Sequence, residues 1–142
     1  SSQEYDLMFR LWKQEGKFTV EKEPRALIRE REGGQISQRN PSEKWLQLLS
    51  LREEMLSYIL SSNTYNVTEK NQFYQAIFDQ NRTLAKFNSK EAVNFYYRIF
   101  ENTNFKPIPN DVNKEIYIIL FRLFGFEMTE KIKRIWNRGM KE

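Results

Sequence analysis

The chain contains no cysteine and no histidine. The first absence excludes a disulfide scaffold and every thiolate metal site. The second removes Ser–His and Cys–His nucleophiles, zinc or iron held by imidazole, and histidine acid–base catalysis. No apolar run approaches the roughly 18–20 residues that a bilayer crossing requires, so no membrane span is expected. No charged-then-apolar leader follows the opening Ser1-Ser2. That opening, together with an end inside the basic stretch before Glu142, leads us to expect residues 1–142 to be one helical domain excised from a larger cytoplasmic protein.

What is present fits an ordered domain. The 142 residues suffice for a single core of ordinary size. Aromatics reach 15%, and that many large rings must be buried for the chain to stay in solution. The formal net charge is +4, a mild basic excess.

Helical periodicity dominates the apolar pattern. Tyr5, Met8, Phe9 and Trp12 recur at i, i+3, i+4 and i+7, with Gly16 as a stop. Phe18 and Val20 alternate as in a short extended piece. Pro24 suits the first turn of a helix carrying Ala26, Leu27 and Ile28, closed by Gly33-Gly34. Asn40-Pro41 opens a helix whose stripe is Trp45, Leu48, Leu49, Met55, Leu56 and Ile59, with Arg52, Glu53 and Glu54 on the wet side. Asn66 with Glu69 makes a capping box ahead of Phe73, Tyr74, Ile77, Phe78, Leu84 and Ala85. Asn88 with Glu91 repeats that signal ahead of Ala92, Val93, Tyr96, Ile99 and Phe100.

Pro107 and Pro109 then force a break, and Asp111 is placed to cap the next helix. Its residues from Ile116 to Phe124 are apolar almost all round, which predicts a buried central helix. Gly125 ends it, Phe126 fits the hydrophobic contact of a Schellman cap, and Thr129 is placed to open a last helix. The expected architecture is all-α, a single compact bundle-like domain of six or seven helices.

Candidate sites follow from charge and from the rings. In the last helix Lys131, Lys133, Arg134 and Arg138 form a basic face, with Ile132, Ile135 and Trp136 as its anchor. Such a face would neutralise DNA phosphates and release counterions while carrying little sequence information. The same residues also suit a solvated helix end whose cations complement the dipole. Arg25, Arg29 and Arg31 are a second candidate, diluted by neighbouring glutamates. A helix-turn-helix over Ile116–Arg138 fails, because Phe121 stands where a small residue is needed and Lys131 where an aliphatic belongs. Phe73, Tyr74, Phe78, Phe95, Tyr96, Tyr97 and Phe100 could stack on single-stranded bases, although their helical spacing favours a core. Tyr97, off the main stripe and beside Arg98, is the ring expected outside, and with Trp136 it is a candidate for protein contact.

No catalytic, metal or cofactor site is expected. Glu53 and Glu54 are adjacent and point about 100° apart, a poor arrangement for sharing a metal. Asp79 and Asp111 lack a carboxylate partner at helical spacing. Tyr96 and Tyr97 have no histidine-held metal that could activate them as nucleophiles.

The segment Leu27–Asn40 resembles the stretch that closes the nicking domain of MobA/MobL-type conjugative plasmid relaxases, through Arg29-Glu30-Arg31-Glu32-Gly33 and Arg39-Asn40. The doubled glycine departs from that pattern. The resemblance implies a helical domain downstream of a nicking domain, with metal and tyrosine chemistry outside this chain and no catalytic residue carried over.

Two functions are therefore expected as alternatives. One is a non-catalytic accessory domain of a plasmid DNA-processing protein, touching the DNA backbone. The other is a protein-interaction module docking a component of a transfer or secretion machinery, or another copy of itself, through exposed aromatics. The sequence leaves oligomeric state open.

Overall fold

A computed structural model describes residues 2–17, 19 and 40–139, and among them the chain is all-helical. Five helices follow in order: α1 (Ser2–Lys13), α2 (Pro41–Ser61), α3 (Val67–Phe87), α4 (Ser89–Phe100) and α5 (Glu115–Gly139). That is fewer than the six or seven expected. The break expected at Gly125 lies inside α5, and the helix expected over 24–34 and the alternating Phe18 and Val20 lie outside the described residues.

Local chemistry sets the boundaries. Gly16 closes α1 by donating its N–H to the Leu11 carbonyl at 2.9 Å, and a Cβ there would lie 2.8 Å from that oxygen. The left-handed turn itself falls on Glu15, at φ 58°. Asn40 caps α2, with Pro41 in its first turn. Asn66 and Glu69 exchange both bonds of a capping box, at 3.0 and 2.8 Å. Asn88 ends α3 with its N–H on the Leu84 carbonyl and starts α4 by accepting from the Glu91 N–H.

α2 packs along α3, and α3 along α4. The core between them holds Leu49, Leu56, Ile77, Leu84, Ala92 and a knot of rings centred on Phe78. Phe78 meets Phe100, Phe105, Tyr117, Phe121 and Phe126 within 6.4 Å, mostly edge to face. Tyr96 stacks on Phe126 at 4.5 Å. Rings expected to choose between core and base stacking are thus core, apart from exposed Tyr97. A smaller cluster of Phe9, Leu51 and Met55 joins α1 to α2, leaving Tyr5 and Met8 exposed.

The region before α5 departs from expectation. Asp111 is exposed and caps nothing; Asn110 organises the turn, its side-chain oxygen accepting from the N–H groups of Val112 and Asn113 at 2.9 and 2.7 Å. α5 therefore starts at Glu115, where the Lys114 carbonyl accepts from Tyr117 and Ile118.

Gly125 has φ 72° and ψ 179°, a conformation essentially reserved for glycine. This is not the left-handed helical geometry of a Schellman cap. Phe126 is buried at the start of a second arm, and Thr129 lies fully buried within that arm instead of opening it. The change of direction is large. A straight helix would separate Tyr117 from Lys133 by about 24 Å, yet the Lys133 ammonium lies 5.7 Å from the Tyr117 ring centroid.

Candidate functional site

The loop between α4 and α5 lacks regular structure, and its two prolines donate no backbone hydrogen bond. Its polar groups must find partners elsewhere. Gln75, Asp79 and Arg82, spaced i, i+4 and i+7 on one face of α3, provide them. The Gln75 side chain accepts from the Ile108 N–H at 3.0 Å and donates to Asp79 at 2.8 Å. Asp79 also accepts from Asn110 at 2.7 Å and from Asn113.

Arg82 ties this network to both arms of α5. It is 3% exposed, donates to the Val112 carbonyl at 2.9 Å and to the Asn113 side-chain oxygen, and pairs with buried Glu130 at 3.0 Å. Its guanidinium lies 3.3 Å from the centroid of the Tyr117 ring. Burial pushes the Tyr117 hydroxyl far above the ordinary tyrosine range, and the Glu130 charge adds to the shift. The network joins α3, the loop and both arms, and its charges meet each other, so it holds the bend closed.

The outer side of that bend is apolar. On the first arm Ile116, Ile119 and Leu123, at i, i+3 and i+7, face away from the core, whereas Tyr117, Ile118 and Phe121 face into it. On the second arm Met128 and Ile135, at i and i+7, are exposed beside Trp136, while Ile132 between them is half-buried. Leu123 is 68% exposed, Ile135 72% and Trp136 58%. The buried central helix expected here is therefore a helix packed by one face only. Ile135 and Trp136, expected to anchor the last helix, point outward.

Between the arms lies a cleft of about 210 Å³ with Ile116, Leu120, Ile132 and Trp136 among its walls and Tyr117 and Arg82 at its base. Val112, Lys114 and Lys133 complete the lining. Burial holds the Lys133 ammonium below its usual range; Arg82 and, less strongly, Lys86 add to this, while Glu130 opposes them.

The basic residues singled out in the sequence have different surroundings. Lys131 is exposed and pairs with Glu127 at 2.6 Å. Lys133 is half-buried against Tyr117 instead of radiating outward, and Arg134 is exposed. Arg138 belongs to α5, with its side chain outside the described atoms. Arg25, Arg29, Arg31 and nearly all of Leu27–Asn40 lie outside the described residues. Tyr97 is exposed on α4, and its neighbour Arg98 makes a two-pronged contact with Glu53 at 2.8 and 2.9 Å.

Among the described residues no three Asp or Glu side chains gather as a metal site would require, and no helix is long and apolar enough to cross a membrane. No family model, curated protein or solved structure matches the chain. The sequence reading missed the outer face of α5, although a signal was there: the first arm carries two apolar stripes, and a helix packed on one side needs only one.

Proposed function

We propose that this chain is a protein-interaction module that docks a partner through the outer face of α5. The observation supporting this reading is the concentration of large exposed apolar side chains there: Ile116, Ile119, Leu123, Phe124, Met128, Ile135 and Trp136. Contiguous apolar surface rimmed by polar groups is a mark of interaction sites, and tryptophan is enriched at their energetic centres. Tyr97 on α4 is a lesser contact. The DNA-backbone alternative draws less support, because Lys131 is already paired with a glutamate and Lys133 is turned into the cleft.

The test is a comparison of the native chain with the Ile119→Glu/Leu123→Glu variant, both substitutions lying at exposed positions. The native chain should retain a defined partner from its source cells that the variant loses, with helical content unchanged by circular dichroism. Retention of the same partner by the variant, or salt-sensitive binding to random DNA duplex as the sole activity, refutes the proposal.

A further inference from the structure

The cleft between the arms of α5 narrows the chemistry of the partner. Its volume of about 210 Å³ is below the roughly 300–1,000 Å³ of small-molecule sites, so it has room for one large side chain and not for a cofactor. Its walls are apolar, and their closeness follows from the reversal at Gly125. Trp136 stands at its edge, more than half exposed, where it can close over an inserted group.

Charge then selects among occupants. Lys86, Lys114 and Lys133 have no ion-pair partner among the described residues, and the buried Glu130 is already engaged by Arg82. The charged side chains that line the cleft are Arg82, Lys114 and Lys133, with no carboxylate among them, so its lining is positive. A second copy of the chain would bring the same lysines against each other. An acidic partner removes that repulsion and replaces water on a half-buried ammonium.

From this geometry we infer that the cleft receives a single large apolar or aromatic side chain from an acidic segment of another protein, its flanking carboxylates meeting Lys114 and Lys133. The inference rests on the interaction reading above and adds the class of partner. It separates two roles within α5: Ile119, Leu123, Met128 and Ile135 supply area, and the cleft, with Ile116 and Trp136 in its walls, supplies selection.

The experiment is selection of a displayed random-peptide library on the whole chain, followed by fluorescence anisotropy with the enriched peptides. Peptides with a large apolar residue next to Asp or Glu should be enriched. Their affinity should fall about tenfold or more with Lys114→Glu and with Trp136→Ala, and it should be little changed by Lys106→Glu, a charge reversal at an exposed loop position beside the start of α3. Both cleft substitutions are at exposed positions, and circular dichroism checks that each variant folds.

Several outcomes overturn the inference. Enriched peptides without carboxylates do so, as does binding indifferent to Lys114→Glu and Trp136→Ala, or no enrichment at all. A random DNA duplex that binds with the expected Lys114 dependence, where the peptides do not, assigns the cleft to phosphate instead. Self-association on sedimentation that Trp136→Ala abolishes assigns it to a second copy. A peptide lost with Ile119→Glu but kept with Trp136→Ala rejects the cleft while sparing the broader proposal.

Discussion

Arg82 ties α3 to the loop and to both arms of α5. Its buried charge is answered by Glu130, Asn113, the Val112 carbonyl and the Tyr117 ring, groups drawn from the loop and from both arms of α5. Removing one partner of a buried ion pair leaves the other without compensation. Arg82→Met should therefore lower stability by about 3–5 kcal/mol, read from urea denaturation. Arg82→Met combined with Glu130→Leu should be more stable than the single variant, since neither charge then stays buried alone. A double variant as unstable as the sum of the two singles would show that the pair is not coupled. Nothing in the apolar pattern marks Arg82, because a charged residue on a helix reads as solvated. The polar spacing of Gln75, Asp79 and Arg82 is the clue, and its meaning appears only once the proline-interrupted loop has come to rest against it.

At the scale of elements, what was legible was local. The capping residues Asn40, Asn66 and Asn88 act on backbone within three positions, so the sequence alone locates three helix starts correctly. The break at Gly125 was legible for the same reason. The direction after the break was not, because it depends on Phe126 finding Tyr96 and on Glu130 finding Arg82, both distant in sequence. The two-sided apolar pattern of Ile116–Phe124 suggested burial, since hydrophobicity reports what avoids water and not which molecule covers it. Gly125 also yields a test of the bend. A Cβ at this position would meet nothing within 4 Å, so any effect of substitution is conformational. Gly125→Ala should lower stability by about 1–3 kcal/mol, measured by thermal or urea unfolding. An unchanged midpoint would mean that the chain does not hold this backbone geometry.

For the whole molecule, the aromatic core ties stability to alkaline pH. Burial raises the hydroxyls of Tyr74, Tyr96 and Tyr117 above the ordinary tyrosine value. An acid whose folded-state value is raised stays protonated in the native core while the unfolded chain gives up its proton near pH 10. Stability is thus fully present below about pH 10 and declines above it, as ionisation draws the chain towards the unfolded state. The urea midpoint should fall steeply above that pH, and tyrosinate absorbance for the buried rings should rise together with loss of helix. Ionisation of all the tyrosines with native circular dichroism retained would contradict the packing described around Phe78. The same core explains why all-α was readable from composition and periodicity. The exposed apolar face of α5 was not, because its residues obey the same rules as the core but lack a covering neighbour among the described residues.

Asn88 belongs to two helices at once, closing α3 with its main chain and opening α4 with its side chain. A joint with no spare residue has no slack. The direction in which α4 leaves α3 is therefore set at one residue, and with it the place of Tyr97 relative to the helix that carries Gln75, Asp79 and Arg82.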